Sequence, residues 1–467
     1  MASSAEERRE VARPNPQFWR ISSVAVLGSF LAQMDATVVN VSLSSLALEL
    51  HTSVSSIQWV TSGYLLALAL TLPLSGWLVD RIGAKALYLC CFSAFTLTSV
   101  LCGFAWSANS LIGFRILQGM SGGLLAPMAQ LIMARVAGDK MARVLGFAAM
   151  PILLAPLLGP VIAGALLRFA SWRWLFWVNL PFGALALAFA ILFLPHDRDD
   201  RRPRSLDLPG LGLLSPGVVL FLYGSEHIAA PVGLTALALS ALLFMVFLRW
   251  ATRKKEGAII DLRLFKDDIF SAAVVTQFLS AGVAFAGQML IPVFLTRAGA
   301  LSPSQAGLLL AAQGLGMMFS YPFVGMLVER FGNRYVSAGG ALTALAATMP
   351  FVYLGSHGLV GTVAAGALFV RGVGLSGIGI PSISAAYSSI KRQDLPMATT
   401  ALNIVMRMGG PTFTTICAAF LGWRLAAHAT ASASAAYGEA FALLCGFHLV
   451  LFAAAMRLPR RVRKASA

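Results

Sequence analysis

Long apolar runs alternate along the chain with short polar and charged breaks. A helix needs about 20 mostly apolar residues to cross a bilayer, and fourteen runs are long enough. They lie at 21–46, 56–79, 85–105, 110–136, 144–167, 174–194, 208–224, 229–250, 269–295, 304–328, 335–354, 360–387, 397–422 and 437–456. The charged breaks 196–207 (HDRDDRRPRSLD) and 251–268 set off the middle pair, giving a six, two, six pattern. The expected organisation is a tail at 1–17, a six-helix bundle at 18–195, a charged linker at 196–207 and an inserted two-helix hairpin at 208–250. A second linker follows at 251–268, then a six-helix bundle at 269–457 and a basic tail at 458–467.

Composition agrees with an all-α polytopic membrane protein: 58% of residues are hydrophobic, 12% are charged, and mean hydropathy is +0.78, against about 25% charged residues in soluble domains. Residues 1–17 are polar and charged, so the first helix is expected to serve as its own insertion signal. Placing the N-terminus in the cytoplasm puts most of the 35 Lys and Arg on that side. The outer loops then hold Arg168, Arg173, Arg297 and Arg424, and Arg115, Arg371 and Arg407 fall inside helices. This bias predicts cytoplasmic termini, and it explains the net charge of +16 by topology, without nucleic acid. The five cysteines lie in apolar segments with neither metal-site nor disulfide spacing. Trp172, Trp174 and Trp177 are expected at the outer interface.

The two six-helix blocks repeat one another. The second helix ends in Gly76-Trp-Leu-Val-Asp80-Arg81-Ile-Gly83, and its counterpart in Gly325-Met-Leu-Val-Glu329-Arg330-Phe-Gly332. Arg115 followed by Gly119 matches Arg371 followed by Gly374, and Gly159-Pro160 matches Gly410-Pro411. Duplicated bundles with a central site suit alternating access.

Among the 19 acidic residues only Asp35 falls near a helix centre, in the stretch FLAQMDATVVNVSLS. A charge at that depth costs roughly 2.5–3.5 kcal/mol on insertion scales and has a task or a partner by default. Arg115 is the expected partner, directly or through a water. On a helical wheel Gln33, Thr37, Asn40 and Ser44 share one face and Asp35 with Ser42 another. One face packs on protein and the other lines a cavity; the pattern leaves open which. Gln118, Gln288, Gln313 and Asn403 are further candidates for a substrate cavity. Asn179 and the other intramembrane amides read as interhelical hydrogen-bonding residues, about 1 kcal/mol each. His448 reads as a packed neutral imidazole.

These motifs resemble those of the major facilitator superfamily, in particular its fourteen-helix drug:proton antiporter branch, and the resemblance covers the chain after Gln17. Gly76 to Lys85 resembles the signature loop G-x-L-a-D-r-x-G-r-k, with Ala84 where a basic residue is usual, and implies a gate at Gly76, Asp80, Arg81 and Gly83, echoed at Glu329 and Arg330. Arg115 to Gly119 resembles R-x-x-q-G, implying proton coupling with Asp35. Gly159, Pro160 and Gly164 resemble the helix-five antiporter motif, with Ala155 and Ala163 where Gly is usual, and imply an exporter that resists leak. Residues 34–41 resemble the helix-one motif l-D-x-T-v-V-N-v, with Ser44 where Pro is typical.

The resemblance implies a major facilitator fold, two six-helix bundles plus the hairpin, in a bacterial inner membrane. It also implies export of amphipathic drugs against protons, and for some relatives a periplasmic adaptor protein. An exporter of one endogenous lipid, siderophore or antibiotic would use the same residues. No P-loop or HExxH stretch is present, so neither ATP hydrolysis nor catalysis is expected. The proton gradient, with no cofactor and no metal, is the expected energy source.

Overall fold

The computed structural model describes residues 16–137, 141–195, 204–427 and 433–460. Most of both expected tails, the centre of the first linker and Lys140 lie outside the described residues. Among the described residues, fourteen helices are long and apolar enough to cross a membrane. They are α1 (Trp19–Val41), α2 (Val54–Ile82), α3 (Ala84–Gly103), α4 (Ala108–Ala137), α5 (Met141–Phe169), α6 (Trp174–Phe193), α7 (Leu208–Glu226) and α8 (Pro231–Lys254). The rest are α9 (Asp268–Ala298), α10 (Pro303–Phe331), α11 (Asn333–Gly355), α12 (Gly361–Ser389), α13 (Arg392–Ala427) and α14 (Ser434–Ala455). Among the described residues no strand occurs, as expected where every backbone polar group must be satisfied within its own segment.

Helix ends differ from the hydropathy reading for local reasons. The first helix stops at Val41 instead of continuing to 46, and Leu43–Glu49 forms a separate short helix. Ser42 sits at the break and donates its hydroxyl to Val38 O at 2.8 Å. The second starts two residues early, at Val54, because Ser53 Oγ accepts from Ser56 N at 3.1 Å. It tightens into a 3-10 turn at Leu72–Leu74, around Pro73, whose ring removes a helical donor. Of the three tryptophans expected at an interface, Trp174 is exposed but Trp172 is buried.

The described residues fall into two compact units. One is drawn from Met1–Thr71, Leu78–Gly138 and Pro151–Arg204, the other from Leu72–Trp77, Asp139–Met150 and Ser205–Ala467. In the first, Tyr88 stacks obliquely on Phe92 (4.7 Å between centroids) and donates to Val24 O at 2.6 Å. In the second, Phe294, Phe351 and Phe441 join α9, α11 and α14 through centroid separations of 5.2–6.3 Å. Lipid is as apolar as these rings, so close packing and interhelical hydrogen bonds hold such contacts.

The linker reading of residue 207 is incomplete. Asp207 caps α7, and its buried carboxylate accepts from Gly210 N (3.2 Å), Trp250 Nε1 (3.0 Å), Lys254 Nζ (2.7 Å) and Ile259 N (3.0 Å). It thereby ties the start of the hairpin to its end. Burial pushes this carboxyl up, but Lys254, Trp250 and the backbone donors of Ile259 and Gly210 outweigh it and hold Asp207 below the usual carboxylate range.

Candidate functional site

Asp35, on α1, is completely buried. Its Oδ2 accepts from Arg115 Nη1 of α4 at 2.7 Å, and Arg115 is equally buried. The contact is direct, which resolves the alternative of a bridging water. Asp35 Oδ1 accepts from Asn179 Nδ2 of α6 at 2.7 Å and from Gln118 Nε2 of α4 at 3.3 Å. Spaced three apart on one helix, Arg115 and Gln118 face the same way, and Arg115 Nη1 also donates to Gln118 Oε1 at 2.8 Å.

An outer ring holds these groups in place. Arg115 Nε donates to Val60 O at 3.2 Å, and the guanidinium carbon lies 4.1 Å from the Tyr64 ring centroid, a favourable cation–π geometry. Asn179 Nδ2 also donates to Ser99 Oγ at 3.0 Å, and Ser99 Oγ donates to Phe176 O at 2.9 Å. Two buried polar atoms of the cluster, Arg115 Nη2 and Asn179 Oδ1, have no partner. One carboxylate and one guanidinium leave the site neutral, and a proton added to Asp35 would leave it with net positive charge. That change is large in a low-dielectric interior.

The other expected residues are placed as follows. Gln118 belongs to this buried network and not to an open wall. Gln33 and Asn40 lie on the exposed face of α1, Thr37 is half-buried, and Asp35 and Ser42 are buried. Thr37 packs against Gly159, where a Cβ would lie 2.7 Å from Thr37 Cγ2. Pro160 is exposed, and nothing approaches within 4 Å of a Cβ at Gly164. Gln288 is exposed and Gln313 half-buried. Asn403 is buried and donates to Thr399 O at 2.9 Å.

At the repeated loops, Gly83 has φ +90° and ψ 155°, and Gly332 has φ +89° and ψ 164°. Two glycines at equivalent positions share a conformation that side chains disfavour, in line with the duplication. Asp80 is buried, with Arg204 Nε 3.7 Å from its Oδ2, while Arg81 is exposed. Gly76 lies against the start of α13: a Cβ there would meet Pro396 O at 3.1 Å, and adjacent Ser75 shares a 2.7 Å hydroxyl contact with Thr400. Glu329 pairs with Arg143. Arg330 is exposed beside the Phe331 ring.

The sequence model of the Major Facilitator Superfamily matches residues 25–299, more than half of the chain. The chain belongs to the major facilitator superfamily. Among curated relatives of this major facilitator is the multidrug resistance protein B homolog of Mycobacterium tuberculosis (strain H37Rv). The two are 32% identical over 419 residues, covering 87% of this chain and 76% of that protein. Among solved folds, the human organic anion transporter MFSD10 (TETRAN) is 16% identical with a TM-score of 0.65, over 95% of this chain and all of that one. The proton:xylose symporter XylE, bound to 6-bromo-6-deoxy-D-glucose, is 16% identical with a TM-score of 0.62, over 93% and 95% of the two chains. Family membership makes the chain a multi-pass membrane transporter and not an enzyme.

Proposed function

We propose that this major facilitator exports amphipathic toxic compounds from the cytoplasm in exchange for protons. It would sit in a bacterial inner membrane with both termini in the cytoplasm. One observation carries the coupling: a fully buried carboxylate paired with one guanidinium, at a depth where a charge is costly without a role. The direction of transport rests on the helix-five motif around Gly159-Pro160 and on a relative named for multidrug resistance.

Opening the cluster to either side brings water to a carboxylate that the closed pair shields completely. When the site opens outward, a proton binds Asp35 and weakens its hold on Arg115. When it opens inward, that proton leaves and the ion pair reforms. Asn179 and Gln118 keep the carboxyl in position in both forms, so only the charge changes. The exposed polar face of α1, Gln33 and Asn40, is suited to a watery substrate path, since such residues are rare against lipid. The loops around Asp80 and Glu329 would act as cytoplasmic latches.

Ethidium efflux from energised cells, wild type beside Asp35→Asn, with and without a protonophore, tests this reading. Efflux that requires both the gradient and Asp35 is expected. Efflux by Asp35→Asn at the wild-type rate would remove the coupling role. A well-inserted wild type that never moves ethidium or other unrelated toxic compounds would instead indicate a narrow-specificity exporter.

A further inference from the structure

The duplication gives Arg115 a counterpart, Arg371, in the second unit, and the two sites differ in one respect. Arg371, on α12, is completely buried. Its Nη1 donates to Gln313 Oε1 of α10 at 2.8 Å and its Nη2 to Val283 O of α9 at 3.1 Å. Glycine at 287 lets the guanidinium lie against the α9 backbone, where a Cβ would collide with Nη2. Both acceptors are neutral, and Nε has no partner.

No carboxylate acts on Arg371 among the described residues. The acids of the surrounding helices lie at their ends: Asp268 on α9, Glu329 on α10 and Glu439 on α14, the last two held by Arg143 and Arg424. The nearby groups of α14 are Cys445 and His448. His448 is buried, its Nδ1 lies 2.8 Å from Leu444 O, and its Nε2 also has no partner. Neutral partners satisfy hydrogen bonds but leave a full positive charge in a medium where isolated ions cost several kcal/mol. Where the first repeat answers its cation with Asp35, the second, among the described residues, supplies the neutral Gln313 side chain and the Val283 carbonyl.

Gln313 also marks a way in. It is half-buried while Arg371 is wholly buried, and Gln288, next in sequence to the glycine against Nη2, is exposed. Gln313 thus joins the partly accessible side of α10 to a guanidinium with an unused donor.

We propose that Arg371 anchors a monoanion that enters past Gln313: a halide, or the carboxylate of an amphipathic substrate. The anion accepts from Arg371 and gives the second unit the negative charge that Asp35 gives the first. The carboxylate case rests on the export reading above; the anion site does not.

Thermal unfolding of the purified full chain in uncharged detergent, followed by tryptophan fluorescence, tests the site without transport. Gluconate is replaced at constant ionic strength by chloride or by benzoate. A saturable rise in the wild-type midpoint is expected, because a ligand that binds only the folded state stabilises it. A response to benzoate alone identifies a substrate carboxylate, and one to chloride at least as strong identifies a small resident ion. Gln313→Glu places a carboxylate where Nη1 already donates, so this variant should melt higher than wild type in gluconate and lose the anion response. Arg371→Gln should lose the response as well. Asp35→Asn should keep it, which separates this site from proton coupling. Two results would overturn the proposal: neither anion moves the wild-type midpoint, or Gln313→Glu or Arg371→Gln responds as wild type does.

Discussion

Removing Arg115 alone should damage the protein more than removing Arg115 and the charge of Asp35 together. The two groups are 2.7 Å apart and neither has any exposed surface. Breaking a buried ion pair on one side costs about 3–5 kcal/mol, chiefly because an uncompensated charge stays behind, whereas replacing both partners is often close to neutral. Arg115→Met also loses the hydrogen bond to Val60 O and the stacking on Tyr64, about 1.5–3 and 2 kcal/mol respectively. Those losses persist in the double variant. Asp35→Asn combined with Arg115→Met should therefore recover at least about 3 kcal/mol relative to the sum of the single changes. Equilibrium unfolding of the four purified proteins in mixed micelles closes the cycle. Contacting ionic residues couple by about 0.5–3 kcal/mol and independent ones add within about 0.5 kcal/mol. Additive effects would mean that Asp35 and Arg115 do not sense each other in the folded protein, and the proposed coupling would lose its physical basis.

Three further changes have distinct expected outcomes. Asn179→Leu removes the 2.7 Å donor to Asp35, a bond to a charged group worth about 1.5–3 kcal/mol; proton-driven efflux should fall at least tenfold while substrate still binds, as read by substrate-dependent fluorescence quenching. Asp207→Asn weakens the clamp on the hairpin, and because the Asp207 carboxyl is held below its ordinary value, its contribution is present above about pH 4 and fades as the pH falls through the depressed value; wild type and variant should differ in unfolding midpoint at pH 7 and converge at acid pH. Gly83→Ala forces a side chain into φ +90°, costing about 1–3 kcal/mol, and Gly332→Ala should cost more in the same unfolding assay, because its Cβ would also collide with Arg460 O.

The fourteen crossings were readable because a bilayer leaves a chain few options: apolar runs of sufficient length become helices. Their ends were less readable, since Ser42 and Ser53 act through single local hydrogen bonds that hydropathy ignores. The Asp35–Arg115 contact could be inferred because a deep charge needs a partner and few were on offer. Asn179 could not be distinguished from other intramembrane amides: its role depends on α6 bringing it beside α1, a long-range fact. Gln118 reads as a cavity residue for the same reason, although its position three residues after Arg115 carries the clue. Asp207 sat in a charged stretch that composition reads as solvated, yet Trp250, Lys254 and Ile259 converge on it only once the hairpin folds back.

The central claim, that a proton carried on Asp35 is exchanged for substrate, is tested most directly in proteoliposomes with a pH-sensitive dye inside and ethidium outside, wild type beside Asp35→Asn. The account predicts that ethidium uptake by inside-out wild type moves protons in the opposite direction, and that Asp35→Asn abolishes both fluxes under an imposed gradient. Ethidium movement by Asp35→Asn accompanied by wild-type proton flux would contradict it.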